Sequence, residues 1–183
     1  MIESSAENMN KFTFILSIAL TVVFGSVTSA NNSKFDLTAH YQDWGVFSTK
    51  DPEVCWILST PLKTENTRGG KPVEVNRGDI ILFVTYVPDN DVTGEVSFVG
   101  GYTFMEDTYI ELQIGAQNYK LVPHKGSAWA PSSEVDRKIR VSMTRGETAI
   151  IKAMSDKGTL TKDTFSLRGF TAALKDAKKR CGV

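Results

Sequence analysis

The sequence predicts a mainly β protein, an antiparallel β-sandwich of about seven or eight strands with two short helices. Three observations lead to this prediction. Short runs of β-branched and aromatic residues recur along the chain, turn-forming residues separate them, and helical spacing of apolar residues occurs in two segments only. No internal repeat is visible, so residues 31–183 are expected to form a single domain.

The predicted strands are apolar runs bounded by turn signals. In chain order they are an extended stretch over 35–47, VCWILST (54–60, or from Glu53), IILFVTYV (80–87), EVSFVGGYTF (95–104), TYIELQI (108–114), YKLVP (119–123), ETAIIKAM (147–154) and LTKDTFSL (160–167). The glycine pair at Gly100 and Gly101 indicates a bulge or a close approach of two backbones. The polar segment 62–72, LKTENTRGGKP, is expected to be a mobile loop.

Two helices follow from apolar spacing. The first is predicted between Pro131 and Gly146, with Ser133 and Asp136 forming a capping box. Its apolar residues recur every fourth position: Val135, Ile139 and Met143. The second begins at Phe170, and its apolar residues lie on one face because they are 4, 3 and 4 positions apart: Phe170, Leu174, Ala177 and Cys181.

The chain has two cysteines, Cys55 in a predicted strand and Cys181 on the apolar face of the last helix. A helix packed over that strand would bring the sulfurs together, and an oxidising compartment would favour their pairing. Closing a loop of about 127 residues would stabilise the fold by about 5 kcal/mol in the chain-entropy model. The alternative is two unpaired buried thiols. No metal site is predicted, since the cysteines and two distant histidines lack ligand spacing.

Residues 1–30 have the pattern of a cleavable secretory signal peptide. The apolar run FTFILSIALTVVFG precedes small residues at the positions that a signal peptidase requires, Thr28 and Ala30. The run is short for a membrane span of about 20 residues, although an uncleaved anchor is the alternative. Acidic residues before Met9 suggest that translation starts there rather than at Met1. The expected location is the periplasm or the exterior, with no stable membrane span after cleavage.

Charge and motif content argue against most catalytic classes. The 21 basic and 21 acidic side chains balance, which argues against a nucleic-acid partner. No cofactor motif is found, and His40 and His124 lie 84 positions apart with no serine or cysteine elbow nearby. The RGD tripeptide at 77–79 matches the sequence that integrins bind, but its position directly before the strand at 80–87 favours a local turn.

Four residues are candidates for a binding surface. Trp129 precedes the first helix, Arg137 and Arg140 lie on that helix, and Arg68 lies in the polar 62–72 segment. Each has a plainer interpretation, because Trp129 could anchor the helix to the core and the arginines could be solvated. The expected partner is a protein or another envelope component, and the chain is expected to be a monomer.

An ordered set of blocks resembles the invasion-associated locus B family of Gram-negative bacteria. The blocks are DWGVFSTKDPEVCWILSTPLK, RGDIILFVTYVP, EVSFVGGYTF, GSAWAP and KGTLTKDTFSLRGFTAAL…KRC, spanning about Trp44 to Cys181. The resemblance implies an exported envelope or secreted domain, named for host-cell invasion in pathogenic members, and it brings no catalytic residues. The matching positions are Trp44, Cys55, Gly100, Gly101, Tyr102, Trp129, Asp163, Leu167, Gly169 and Cys181.

The leading functional hypothesis is therefore a non-enzymatic, exported binding protein that contributes to host-cell interaction in pathogenic relatives. The first alternative is a structural or stress-related envelope protein with no host target. The second is a hydrolase that uses His124 or His40 as its base.

Overall fold

The computed structural model describes residues 36–183, which form twelve β-strands, one short 3₁₀ helix and two α-helices. The strands are β1 Asp36–Tyr41, β2 Trp44–Lys50, β3 Glu53–Ser59, β4 Lys63–Arg68, β5 Lys71–Pro72, β6 Ile81–Val87, β7 Val92–Val99, β8 Ile110–Ile114, β9 Gln117–His124, β10 Ser127–Trp129, β11 Thr148–Met154 and β12 Leu160–Ser166. The α-helices are α1 Ser133–Arg145 and α2 Phe170–Arg180. The predicted signal peptide, residues 1–30, lies outside the described residues.

All strand pairs within this region are antiparallel, and the strand order is β1-β2-β3-β6-β7-β10-β9-β8-β11-β12-β4-β5. The mainly β, antiparallel class with two helices is confirmed. The predicted number of seven or eight strands is wrong, because twelve strands form one continuous sheet that does not close on itself. Strand β9 makes it continuous, since its first part pairs with β8 and its last residues pair with β10.

The polar 62–72 segment accounts for part of the difference. It was expected to be a mobile loop, yet β4 pairs with β12 from Lys63 to Thr67, and only Gly69 and Gly70 form the turn to β5. Its side chains are polar because one face of this outer strand is exposed, and Glu65 forms a 3.0 Å salt bridge with Lys162 across the strand pair. A polar sequence near the edge of a sheet gives little hydrophobic periodicity for prediction.

The sheet folds over so that its two halves share one core. The first half contains β1, β2, β3, β6, β7 and β10, and the second contains β8, β11, β12, β4 and β5. Phe98 of β7 packs against Phe165 of β12 with ring centroids 6.2 Å apart. Trp44 of β2 is fully buried and its Nε1 donates a 2.9 Å hydrogen bond to the Ser166 carbonyl oxygen. Alternate residues of both halves therefore face inward, as period-two strands require.

Both helices lie on the core side of the first half. Helix α1 begins after Ser132, whose hydroxyl accepts from the Val135 amide, so the capping box predicted at Ser133 and Asp136 is wrong. The Asp136 carboxylate is instead buried and accepts a 2.7 Å hydrogen bond from the Val96 amide of β7. A sequence pattern specifies a local cap, but packing redirected this side chain to another element.

The last helix has the predicted apolar face. Phe170, Ala177 and Cys181 are buried and Leu174 is half-buried. The Phe170 ring meets Trp44 edge-on, with centroids 4.9 Å apart. Gly169 precedes the helix at φ +88°, where a side chain would collide with the Tyr41 carbonyl group, so this position requires glycine.

Cys55 and Cys181 form a disulfide with their Cα atoms 6.0 Å apart, joining β3 to the end of α2 across a separation of 126 residues. The bond fixes the last turn of α2, which would otherwise fray at the chain terminus. Within residues 36–183, neither helix has the length and apolar character that a membrane-spanning helix requires.

Replacing both cysteines, Cys55→Ala with Cys181→Ala, is expected to lower the free energy of unfolding by as much as about 5 kcal/mol, because the unfolded chain regains loop entropy. Urea denaturation of the oxidised wild type and the double variant measures this difference. Dithiothreitol should destabilise the wild type and leave the double variant unchanged. Equal midpoints for oxidised and reduced wild type would contradict the expected stabilisation.

Candidate functional site

A buried ion pair joins the connection between β5 and β6 to strand β12. Two nitrogens of the Arg77 guanidinium donate to the two carboxylate oxygens of Asp163 at 2.7 and 2.6 Å. The side chains are 6% and 0% exposed, respectively. Nε and Nη2 of Arg77 also donate to the Gly100 carbonyl oxygen, at 3.0 and 2.8 Å, and Nη1 donates to Asn66 Oδ1 at 3.4 Å. The guanidinium thus has a partner for each of its donor directions.

This pairing decides how the RGD tripeptide at 77–79 is interpreted. Recognition of such a tripeptide requires an arginine that can reach another protein, but Arg77 is almost fully buried and bound on both edges. The tripeptide is therefore part of the scaffold here, which agrees with the local role favoured by its position before β6. Asp163 lies 86 residues further along the chain, and no local sequence pattern predicts a pair at that separation.

Tyr102 packs against the ion pair and closes one side of it. The Arg77 Cζ atom lies 5.0 Å from the centroid of the Tyr102 ring, a cation–π contact. The Tyr102 and Thr161 hydroxyl oxygens are 2.6 Å apart. Burial raises the pKa of Tyr102 to about 12, so its hydroxyl is neutral near pH 7. Burial also raises the pKa of Asp163, whereas the Arg77 hydrogen bonds act to lower it.

The adjacent glycine pair allows this arrangement. Gly101 has φ +74°, and its carbonyl oxygen accepts a 2.9 Å hydrogen bond from the Gly78 amide. A Cβ atom on Gly101 would lie 2.6 Å from the Gly78 carbonyl oxygen, a distance that no side chain tolerates. The close backbone approach expected from the Gly100-Gly101 pair is confirmed, and it positions the Gly100 carbonyl group that Arg77 binds.

A cavity of about 560 Å³ opens beside this cluster. We call it the arginine cavity, and it is lined by Arg68, Val75, Asn76, Arg77, Gly101, Tyr102, Thr103, Ser155, Asp156, Lys157, Thr159 and Thr161. Arg68, which the sequence singled out as a candidate binding residue, lies on its wall. Its Nε and Nη2 atoms donate to Thr159 Oγ1 at 3.2 and 2.7 Å.

The outer faces of the two sheet halves differ in chemistry. On the second half, side chains that point away from the core form a row of charged residues across paired strands, namely Lys120, Glu111, Lys152, Lys162 and Glu65. Lys162 and Lys63 both form salt bridges with Glu65, at 3.0 and 3.1 Å. This is the usual polar face of a sheet in contact with water.

On the first half, many outward positions carry apolar side chains, and the uncharged Thr85 and Ser97 and the charged Glu95 lie among them. We define the aromatic face as Phe47, Trp56, Leu58, Phe83, Val122 and Trp129. The strand registers place Leu58, Phe83, Ser97, Trp129 and Val122 in one continuous row. Phe47 and Trp56 stack with centroids 5.5 Å apart. Both helices pack on the opposite, core side of these strands. Phe170 of α2 contacts Trp44, and Arg140 of α1 binds the Gly94 carbonyl oxygen. Neither helix therefore covers the aromatic face.

The sequence-predicted surface residues do not form one site. Trp129 precedes α1, as its place in the sequence requires, and is half-buried in β10 opposite Ser97 and Val122. Arg137 is exposed in a groove of about 460 Å³ between α1 and the β8–β9 hairpin. Arg140 was predicted on the solvated helix face, but its guanidinium is turned inward and donates to the Gly94 carbonyl oxygen.

The histidines are far from a catalytic arrangement. His40 lies on β1 and His124 on β9, and both are exposed. In the described residues, neither imidazole forms a hydrogen bond of the kind that would orient a general base. Over the same range, no group of three or more histidine, cysteine, aspartate or glutamate side chains is arranged to hold a metal ion.

Of the remaining family-pattern positions, Leu167 is buried beside Gly146 and Gly169 adjoins Tyr41. Sequence reasoning missed Arg77 as a partner of Asp163. It also missed the hydroxyl groups of Thr159 and Thr161 in the arginine cavity, for which no sequence motif exists.

Breaking the buried ion pair is expected to be strongly destabilising. The variants Arg77→Met and Asp163→Leu should each lower the free energy of unfolding by about 3–5 kcal/mol, because each leaves an uncompensated buried charge. The double variant should lose less than the sum of the single losses. Urea denaturation of all four proteins gives the coupling energy, with Lys162→Ala as a surface control that should change little. Additive losses would show that the two groups do not interact.

Comparison with known proteins identifies a similar fold. No family model and no curated protein matches the chain. Among solved structures, it is similar to the crystal structure of invasion associated protein B from Bartonella henselae, with a TM-score of 0.54 and 15% sequence identity. The match covers 79% of this chain and 97% of that chain. At this level of identity the likeness concerns the fold alone.

Proposed function

We propose that this protein is an exported, non-enzymatic binding protein of the periplasm or the cell exterior, and that it contacts a partner protein through the aromatic face. The observation that carries this proposal is the asymmetry of the two outer sheet faces. One carries a charged row with a cross-strand salt bridge between Lys162 and Glu65, and the other carries a row containing Leu58, Phe83 and Trp129.

The composition of the aromatic face suits protein recognition. Aromatic residues are enriched at the centres of interfaces, where they bury a large area at a small cost in side-chain entropy. Phe83 and Trp129 both lie opposite the uncharged Ser97, and Glu95 is the charged residue of the neighbouring row, opposite Thr85. The strands hold these side chains in fixed register, which limits the ordering cost on binding.

Three features support export and a relationship to the invasion-associated proteins. The N-terminal residues have a signal-peptide pattern. The Cys55–Cys181 disulfide is typical of proteins in an oxidising compartment. The fold is similar to that of a protein named for invasion. A contribution to host-cell interaction is part of the proposal, and its molecular basis would be the aromatic face.

Site-specific photo-crosslinking tests the proposal. A benzophenone amino acid at position 83 or 129 is expected to capture a discrete partner protein in intact cells of the source organism, or in those cells together with host cells. The matched control is position 150, because Ile150 is a half-buried residue on the outer face of the second half. Captured mass and identity are read by gel shift and mass spectrometry.

Substitutions then measure the contribution of the face. Phe83→Thr and Trp129→Thr keep strand-forming residues and should weaken affinity for the captured partner on the order of tenfold or more, whereas Ile150→Thr should not. Urea midpoints check that each variant folds. Absence of any adduct at 83 and 129, or equal adducts at 150, would contradict the proposal. A crosslinked band at twice the mass of the chain would indicate self-association and would contradict the proposal that the partner is a different protein.

A further inference from the structure

Two cations face the arginine cavity without a carboxylate partner. Arg68 and Lys157 both line it, and within residues 36–183 neither forms a salt bridge. Arg77 also lines the cavity, but Asp163 and Gly100 occupy its donors. The charge of Arg77 is therefore balanced by Asp163. The unbalanced positive charge of the cavity comes from Arg68 and Lys157.

The Arg68 side chain is exposed, and its guanidinium is oriented by the buried Thr159. Its Nε and Nη2 atoms bind Thr159 Oγ1, and the Thr159 amide donates a 3.0 Å hydrogen bond to the Ser155 hydroxyl. Thr159 and Ser155 are buried, at 3% and 6% exposure. The Nη1 atom of Arg68 forms no hydrogen bond within the described residues. A charged group with a fixed direction and unused donors is suited to binding an oxyanion.

The rest of the lining supplies neutral polar groups. Asn76 contributes an amide, Thr103 a hydroxyl and Tyr102 an uncharged phenol whose pKa is raised to about 12. Asp156 is the one acidic residue in the lining. A volume of about 560 Å³ is within the range of small-molecule sites rather than of a polymer groove.

We propose that the arginine cavity binds a small hydroxylated ligand carrying an oxyanion, a phosphate or a carboxylate, with Arg68 and Lys157 as its charged contacts. The hydroxyl and amide groups of the lining would hydrogen-bond the ligand hydroxyls. The Asp156 carboxylate would repel a second negative group on the ligand. The cavity therefore favours ligands with one anionic centre. This site is separate from the aromatic face, so its failure in a binding test would not affect the partner proposal.

The test is an amide NMR titration of the disulfide-bonded protein at low ionic strength. The probes are inorganic phosphate, glucose 6-phosphate, glucuronate and glucose. We expect saturable shifts at residues 101–103 and 155–161 with glucose 6-phosphate or glucuronate, and weaker or no shifts with glucose. A response to glucose 6-phosphate and phosphate alone identifies a phosphate site, and a response to glucuronate alone identifies a carboxylate site.

Three variants test the residue assignments. Arg68→Ala should weaken binding about tenfold or more, because it removes the oriented charge-assisted donors. Asp156→Asn should strengthen binding, since it removes the one opposing charge in the lining. Arg137→Ala is the matched control, because it removes an exposed arginine in a different groove and should leave the affinity unchanged.

Two results would overturn the proposal. One is the absence of saturable shifts in the cavity with all four probes. The other is equal weakening by Arg68→Ala and Arg137→Ala, which would indicate general attraction of anions to the protein surface. Amide spectra of each variant in the absence of probe establish that the fold is retained.

Discussion

The ion pair between Arg77 and Asp163 is the constraint on which the centre of this structure depends. Asp163 is completely buried on β12, so its charge must be neutralised where no water reaches. Arg77 satisfies it from the connection that leads into β6, and the same guanidinium holds the Gly100 carbonyl oxygen after β7. One side chain thus links both halves of the sheet and fixes the backbone around Gly101 that forms the wall of the arginine cavity.

The disulfide and the ion pair stabilise different parts of the fold by different physical means. The bond between Cys55 and Cys181 acts through the unfolded chain, whose freedom it restricts, and it holds α2 over the first half of the sheet. The ion pair acts only in the folded state, because its geometry exists only when β12 and the β5–β6 connection meet.

The fold shows which sequence patterns are dependable. Period-two apolar strands such as β6 and β8, and the apolar face of α2, were predictable because burial imposes a strict spacing on a single segment. Strand β4 was not predictable, since its pairing with β12 depends on a partner distant in sequence. The same reason explains Asp136, a good helix-cap residue that instead accepts a hydrogen bond from the Val96 amide. Of the candidate surfaces, the sequence singled out Arg68 and Trp129 but not the residues around them, and their part in binding stays a prediction.

The sequence by itself determined the class of fold, most strand positions, the two helices and the pairing options of two cysteines, because these depend on local propensity, periodicity and composition. Only the tertiary structure decided that an RGD tripeptide is scaffold, that Arg140 turns inward, and that the two outer faces differ. Those outcomes depend on which side of each strand faces the core and which residues meet across the fold. A sequence pattern predicts a contact only when both contacting residues lie within one helix or strand. The residues that meet here lie in different elements.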